Sequence, residues 1–278
     1  MAPKGILASD GLLARPSGRW AREKLGFLAR YIDIFATGQQ HKWRDRAFID
    51  LLAGPGLCRL RTGQEEFDGS PLIALKSRTP FTQVMLVEEE PALAAALRVR
   101  TQGPRLQPHP TILEGNCNDS AIVVEIRRRV TRSTLAFCFV DLEGFDVEFN
   151  TIRALVADRR MDLVVTFPEG GITRNAPVAD PRQAATWTRF FGTEAWRTVL
   201  SECAAKQRSR SPRIELALLY ARQLQGLGYE VNYLHETMKN TTGVALYRPL
   251  FASKHARGTD YWLKISAVGP DRQRHLFP

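Results

Sequence analysis

The segment 48–56 constrains the fold more than any other part of the chain, and it reads Phe-Ile-Asp-Leu-Leu-Ala-Gly-Pro-Gly. A short apolar run leads to Asp50 and then to a turn with Gly54 and Gly56, which is typical of a buried parallel strand followed by a tight turn. Ligands of open α/β sheets bind at the carboxyl ends of the strands, so this turn is a candidate ligand loop. Its glycines leave no Cβ between backbone and ligand. The spacing differs from that of dinucleotide-binding and P-loop motifs.

The rest of the chain alternates between strand and helix patterns, which favours a doubly wound, mostly parallel α/β sheet of seven strands. Strands are predicted at 47–52, 82–88, 111–114, 134–140, 162–167, 229–234 and 244–252, and 260–266 is expected to extend or flank the sheet. Helices are predicted at 19–37, 70–77 with Ser70 as N-cap, from Pro91 onward, and at 120–130, 149–157, 181–204 and 213–227. We expect a flexible arm at 1–18, an N-terminal helical extension at 19–46 and one domain at 47–270, with 64–69 as a loop.

The chain is strongly basic, with 39 Lys and Arg against 29 Asp and Glu and a net charge of +10. Such an excess attracts polyanions, and nucleic acid is the most common of these; an Arg-rich composition without such a partner is the alternative. The basic residues cluster at Arg127 to Arg129 with Arg132, at Lys206 to Arg213, and at Lys254 to Arg257. Each cluster alone is more typical of a solvated face.

The sequence disfavours membrane, disulfide-rich and metal-binding classes of protein. No run of 18 apolar residues is present, and 1–15 has no long apolar core followed by a small-residue cleavage site, so we expect neither a membrane segment nor a signal peptide. The four cysteines are widely spaced, which indicates neither a metal site nor a disulfide framework and fits a reducing, cytoplasmic setting.

Polar side chains end or follow four successive predicted strands: Asp50, Glu88, Asn116 and Asp141. In a doubly wound sheet these residues face one crevice. A carboxylate after the second strand can accept from both hydroxyls of a ribose. NAD binding is the main competing interpretation, but the third glycine is missing and Glu88 lies further along than the roughly 20 residues expected.

The glycine turn resembles the first motif of S-adenosylmethionine (SAM) methyltransferases. Over about 19–265 the chain resembles the three-Cys-motif partner proteins, a family with a SAM-methyltransferase-like Rossmann domain. The matching elements are Trp20, Lys24, Leu25, Leu28, Tyr31 and Phe35; the segment 48–56; Gly69 to Leu72; Asp162 to Pro168 with Arg174 and Asn175; Phe191, Gly192 and Trp196; and Leu246 and Tyr247, Phe251 to His255, and Trp262.

The resemblance implies SAM as cofactor and a sheet of the class I SAM-methyltransferase type, and the family name implies a three-cysteine protein partner. The implied cofactor-binding residues are Asp50, Leu52, Ala53, Gly54, Pro55, Gly56, Glu88, Glu89, Asn116, Cys117 and Asp141. The implied substrate-binding residues are Ser70, Phe145, Arg174 and Asn175.

Two departures from the family pattern bear on activity. After the fourth strand the family has Asp-Pro-Tyr-Gly, as in amino-group methyltransferases, whereas this chain has Asp141-Leu142-Glu143-Gly144 followed by Phe145. Asn116 stands where an aspartate is usual, and its amide can still accept from an adenine amino group. Asp141 is the first candidate to orient or deprotonate an acceptor, and Glu143 is the second.

These observations predict a SAM-dependent methyltransferase that acts on a base of RNA or DNA. Two alternatives stay open: a methyltransferase for a small molecule or peptide, and a non-catalytic binding protein that keeps the Rossmann shell.

Overall fold

The computed structural model describes residues 5–174, 180–206, 210–233, 238–239 and 243–266. The strands are β1 (Ile6–Leu7), β2 (Leu13–Ser17), β3 (Arg46–Asp50), β4 (Leu57–Leu60), β5 (Glu66–Asp68), β6 (Gln83–Glu88), β7 (Thr111–Glu114), β8 (Leu135–Val140), β9 (Arg160–Phe167), β10 (Glu230–Tyr233), β11 (Met238–Lys239) and β12 (Ala245–Ser253). The helices are α1 (Trp20–Gln39), α2 (Ser70–Leu75), α3 (Pro91–Thr101), α4 (Ser120–Arg129), α5 (Phe149–Val156), α6 (Glu169–Arg174), α7 (Pro181–Phe191), α8 (Ala195–Ala204), α9 (Pro212–Gly226) and α10 (Ala256–Ser266).

The main sheet has the order β10-β12-β9-β8-β3-β6-β7, and β11 pairs with β12. Strands β7, β6, β3, β8 and β9 are parallel. Strand β12 is antiparallel to both β9 and β10. The doubly wound, mostly parallel α/β architecture is therefore confirmed, and the sheet has eight strands rather than the predicted seven.

Both faces of the main sheet are covered, which explains the apolar runs of its strands. All residues of β3 are buried. One apolar cluster holds Ile49 and Cys138 with α4, α5, α7 and α9, and a second holds Phe48 and Phe137 with α1 and α10.

A second sheet, in the order β1-β2-β4-β5, occupies most of 5–18, where a flexible arm was expected over 1–18, and replaces the loop expected at 64–69. Residues 1–4 of the expected arm lie outside the described residues. Strand β2 pairs in parallel with β4, with Arg15 opposite Cys58 and Ser17 opposite Leu60. Arg100 of α3 donates to the carbonyl oxygen of Leu13 over 2.6 Å. These contacts join distant parts of the chain, so local composition does not predict them. The limits predicted for a single domain, 47–270, stay a prediction.

Two further expectations are corrected and a third is narrowed. The stretch 181–204 forms two helices, because Gly192 ends α7 at a φ of 64°. Residues 260–266 flank the sheet rather than extend it: they lie in α10, whose buried Trp262 and Ile265 are three residues apart, a helical spacing, and belong to the same cluster as Phe251. Gly69 is the N-cap of α2, and Ser70 is its first helical residue.

The topology places a crevice at the carboxyl ends of β3 and β8. From β3 the chain moves outward to β6 and β7, and then crosses back to β8 on the other side of β3. Such a reversal of strand order is the usual ligand position in open α/β sheets. Within the described ranges no helix is long and apolar enough to cross a membrane.

Candidate functional site

The loop after β3 is held by backbone hydrogen bonds on both sides. The amide of Leu51 donates to Phe139 over 3.3 Å, and the amide of Ala53 donates to Val87 over 2.8 Å. Gly54 and Gly56 have φ values of 65° and 83°, a region that favours glycine. The loop is thus anchored to the two neighbouring strands with its glycine backbone at the crevice.

Glu88 fixes the loop from the end of β6. One carboxylate oxygen accepts from the Gly54 amide over 2.8 Å, and the other accepts from the Glu90 amide over 2.8 Å. The acid predicted at the end of the second strand therefore lies directly against the glycine loop.

Asp50 is fully buried, with 0% exposure, and it lies beneath the loop. One of its oxygens accepts from the Leu52 amide over 3.2 Å. Burial raises the pKa of Asp50 to about 7, and the Ser70 hydroxyl and the Leu52 amide partly offset that rise. In this position Asp50 supports the backbone of the loop from inside the protein.

Two adjoining cavities open at the crevice. The loop cavity, of about 460 Å³, contains the predicted residues Ala53, Pro55, Gly56, Ser70, Asp141 and Glu143. The acidic cavity, of about 370 Å³, contains Leu52, Gly54, Glu88, Glu89, Asn116, Cys117 and Glu143. Both cavities are also lined by Arg15, Pro16 and Arg61. Most of the predicted site residues therefore come together, divided between two adjacent spaces.

The acidic cavity combines an amide, carboxylates and small apolar surfaces. Asn116 donates to Glu89 over 3.1 Å and accepts from the Asn118 amide over 2.9 Å. Burial, with nearby carboxylates, raises the pKa of the Cys117 thiol to about 12. Cys117 is therefore a thiol rather than a reactive thiolate at neutral pH.

Asp141 lies at the end of β8 and is only 4% exposed. Its two oxygens accept from Lys24 over 2.6 and 2.5 Å, and the Thr166 hydroxyl donates to one of them over 3.0 Å. Burial alone would raise the pKa of Asp141, but the charges of Lys24 and Arg15 outweigh burial and hold that pKa below its ordinary value. Asp141 is an ionised, internally paired carboxylate.

Glu143 is the outer member of the same group of charges, with 71% of its side chain exposed. Arg15 donates to it over 2.8 and 2.5 Å and lies 3.6 Å from Asp141. Burial alone would lower the pKa of Arg15, but the two carboxylates raise it above its usual value. The Arg15–Glu143 pair stands where the two cavities meet.

Sequence reasoning assigned no role to Arg15, Trp20, Lys24 or Tyr247, all of which line the loop cavity. The Lys24 ammonium lies 5.1 Å from the Trp20 ring and 5.6 Å from the Tyr247 ring. Trp20 and Lys24 are four residues apart on α1 and so share a face, a signal that the sequence contained. Arg15 had no such signal, because its strand forms by pairing with β4.

The remaining predicted residues lie elsewhere. Phe145 packs against Trp187 and Phe190, with ring centroids 5.2 and 4.8 Å away, and lines neither cavity. Arg174 ends α6, but its side chain is not described, and Asn175 lies outside the described residues.

The comparisons bear on the fold. No protein-family model and no curated protein matches the chain. Protein LPL1258 of Legionella pneumophila is similar in structure at 9% identity, covering 90% of this chain and 91% of that one with a TM-score of 0.51. The fold is Rossmann-like.

Two further solved structures belong to methyltransferases. An O-methyltransferase of Bacillus cereus in complex with SAH matches at 12% identity and a TM-score of 0.44, over 82% of this chain and 80% of that one. TYW2 of M. jannaschii in complex with AdoMet matches at 11% identity and a TM-score of 0.42, over 87% and 81%. At such scores they add no argument about this chain's chemistry, and the resemblance to three-Cys-motif partner proteins gains no support.

The Rossmann-like crevice can accommodate an elongated ligand. Carboxylates and an amide line one end, a glycine backbone and Arg15 lie in the middle, and the largely buried Lys24 ammonium lies at the other end. A Cβ built on Gly54 would meet only the Arg15 side chain within 4 Å, at 3.8 and 3.9 Å, so the loop backbone is open to a ligand. Among the residues the structure describes, no group of three His, Cys, Asp or Glu side chains could hold a metal ion.

Proposed function

We propose that this chain is a SAM-dependent methyltransferase that acts on nucleic acid. The observation that carries the proposal is Glu88, whose carboxylate accepts from the Gly54 amide at the edge of a cavity that also contains Asn116. A strand-end acid, a glycine loop and an amide side by side at the switch point suit a ribose joined to a purine.

The residues present fit this cofactor. Glu88 and Glu89 would hold the ribose hydroxyls, Leu52 and Cys117 would contact the adenine ring, and Asn116 would accept from its amino group. The backbone of the loop from Gly54 to Gly56 would pack on the amino-acid end. When bound, SAM supplies an electrophilic methyl group on a sulfonium.

The protein's own contribution is alignment and charge. Methyl transfer requires the nucleophile and the methyl group to be in line. The anchored loop after β3 and the buried Asp50 beneath it would hold the cofactor in that position. The pKa of Asp141 is below its ordinary value, so this carboxylate is a weak base. We therefore assign Asp141 to holding Lys24 and orienting the acceptor rather than to removing a proton.

Nucleic acid is the acceptor class that the charge favours. The chain carries a net charge of +10, and the exposed Arg61 lines both cavities. An acceptor base would have to be unpaired or flipped to reach the crevice. The finer assignment to three-Cys-motif partner proteins, with their implied protein partner, rests on the sequence motifs alone.

A second candidate is a non-catalytic Rossmann-like binding protein. Both carboxylates of the altered segment after β8 are paired internally, Asp141 with Lys24 and Glu143 with Arg15. Such a protein would bind the nucleoside without transferring a methyl group.

Titration calorimetry with SAM and S-adenosylhomocysteine tests the cofactor, and we expect micromolar affinity for both. Absence of binding by both at high micromolar concentration would rule out the methyltransferase proposal. An assay of radiolabelled methyl transfer to bulk tRNA, duplex DNA and single-stranded DNA, and then to small molecules and peptides, separates the two candidates. SAM binding without transfer to any of these acceptors supports the non-catalytic protein.

A further inference from the structure

A third cavity, here called the basic cavity, lies at the edge of the main sheet opposite the crevice. Its volume is about 530 Å³, and it lies where β8 and β9 begin, where β12 ends and where α10 begins. Its basic lining residues are Lys42, Arg159, Arg160, Lys254, His255 and Arg257. A strand of six residues such as β8 spans about 20 Å, so this cavity is separate from the candidate active site.

The positive charge of the basic cavity is poorly neutralised. Of the residues that the structure describes, Asp162 is the one carboxylate lining the cavity; it is 9% exposed, and it accepts from the Tyr31 hydroxyl over 2.8 Å. Asp158 lies nearby but is paired with Arg132 at 3.1 Å. Among the described residues, none of the five Lys and Arg side chains of the lining lies within ion-pair distance of a carboxylate.

Distant parts of the sequence contribute to this charge. The cluster at Lys254 to Arg257 lines the cavity, and Arg159 connects it to the cluster that begins at Arg127. Arg159 donates to the carbonyl oxygens of Val130 and Arg127, over 2.6 and 3.2 Å. Burial and the charges of Arg127 and Arg132 lower the pKa of Arg159, as expected for a crowded cationic surface. Two basic segments that each suggested only a solvated face thus meet on one surface.

The basic cavity also has an aromatic wall. Trp43 is half-buried, and the Arg160 guanidinium lies 5.0 Å from its ring centroid. The amides at the start of α10 are already bonded: that of Arg257 donates to the His255 imidazole over 3.1 Å, and that of Gly258 donates to the His255 carbonyl oxygen over 2.8 Å. The side chains therefore supply the positive charge of the cavity. Cations beside an aromatic ring form the combination that binds single-stranded nucleic acid, with phosphates on the cations and a base on the ring.

We propose that the basic cavity binds a single strand of nucleic acid, with Arg160, Lys254 and Arg257 on phosphates and Trp43 stacked on a base. This docking surface is remote from the crevice, and strand binding there does not depend on methyl transfer. A nucleic-acid acceptor anchored here would have to extend about 20 Å across the sheet to present a base at the crevice.

Fluorescence anisotropy with labelled 12-nucleotide RNA and DNA strands tests the proposal on the full chain. Each of the three phosphate contacts adds about 0.7 to the salt slope of single-strand binding. We therefore expect the double variant Arg160→Glu with Arg257→Glu to weaken binding at least tenfold and to flatten that slope. Trp43→Ala should weaken binding about tenfold, and Trp43→Phe should restore most of it.

The control variant is Arg222→Glu, on the exposed side of α9 outside the basic cavity; it makes the same charge change as the single variant Arg257→Glu, with which it is compared. Calorimetry with SAM provides a second readout, because the cavity variants should leave cofactor affinity unchanged. Equal losses in Arg222→Glu and in the cavity variants would overturn the proposal, as would absence of binding by the unaltered chain. Binding of AMP or inorganic phosphate as tight as that of the 12-nucleotide strands would also overturn it, because the site would then be for a small phosphorylated ligand.

Discussion

Lys24 donates to both carboxylate oxygens of Asp141, over 2.6 and 2.5 Å, and thereby ties the first turns of α1 to the end of β8. Only 10% of the Lys24 side chain and 6% of the Asp141 side chain are exposed. Each charge is therefore the main compensation for the other in a place with little water, and removal of Lys24 leaves Asp141 with only the Arg15 guanidinium, 3.6 Å away, as a charged partner.

We expect Lys24→Met to lower the free energy of unfolding by about 3 kcal/mol, because Asp141 stays buried and loses the closer of its two cationic partners. Urea denaturation at pH 7 measures the loss. The pKa of Asp141 is lowered in the folded protein, so the stability this pair contributes is present above about pH 4 and is lost as the pH falls through the folded-state pKa. The deficit of the variant should shrink in acid.

Lys76→Met is the matched control for Lys24→Met. Lys76 also donates to both oxygens of a carboxylate, that of Asp68, over 2.8 and 2.7 Å, but half of its side chain is exposed. Its loss should cost less than about 1 kcal/mol. Equal costs in the two variants would contradict the assignment of Lys24–Asp141 as a buried pair, and Lys24→Met combined with Asp141→Asn should recover much of the loss.

Asp50 should make stability fall as the pH rises. Burial raises its pKa to about 7 in the folded protein, against about 3.9 in the unfolded chain. The folded state therefore binds the proton more tightly, and this contribution to stability is full below about pH 4 and lost as the pH rises to about 7, by at most about 1.4 kcal/mol per pH unit. Asp50→Asn keeps the acceptor for the Leu52 amide and should flatten the profile.

Denaturation midpoints from pH 4 to pH 8 test this expectation. The exposed Asp158→Asn is the control, because asparagine tolerates the positive φ of 57° at that position. A profile for Asp50→Asn as steep as that of the unaltered chain and of Asp158→Asn would show that Asp50 is not the titrating group.

Gly54 and Gly56 should respond differently to alanine. Both have positive φ, but a Cβ on Gly54 faces only Arg15, at 3.8 Å, whereas a Cβ on Gly56 would lie 3.2 Å from a methyl group of Leu97. We expect Gly54→Ala to cost about 1 kcal/mol of stability and Gly56→Ala clearly more.

For SAM affinity we expect the opposite order, with Gly54→Ala more harmful than Gly56→Ala. The Cβ of Gly54→Ala would enter the acidic cavity and should weaken SAM binding about tenfold, measured by calorimetry on folded protein. A Gly54→Ala variant that binds SAM as well as the unaltered chain would mean that the loop backbone does not face the cofactor.

Glu88→Gln should weaken SAM binding about tenfold or more, because a carboxylate accepts from ribose hydroxyls more strongly than an amide does and also orders the loop. Glu114→Gln is the control: this residue also ends a parallel strand, but it is exposed and paired with Arg98 at 2.7 Å. Equal affinities for SAM in the two variants would place the ribose elsewhere.

The sequence predicts the crevice well where strand ends define it. Glu88 and Asn116 lie together because parallel strands bring their carboxyl ends to one edge, and strand periodicity reveals those ends. The role of an individual side chain depends instead on how deeply it is buried. Asp50 lies beneath the loop and Phe145 lies in the core, and the sequence pattern does not distinguish these positions from the wall of a cavity. Sequence periodicity does not predict the position of Arg15 at all, because its strand, β2, forms only when it pairs with β4.

Strand β2 also determines how far the chain can be shortened. A flexible arm, as expected for 1–18, could be removed without loss, but Arg15 and Pro16 lie on walls common to both cavities. A protein trimmed to begin at residue 19 would keep every strand of the main sheet and would lose the outer wall of its own crevice. Absence of activity in such a truncated protein would therefore say nothing about the activity of the full chain.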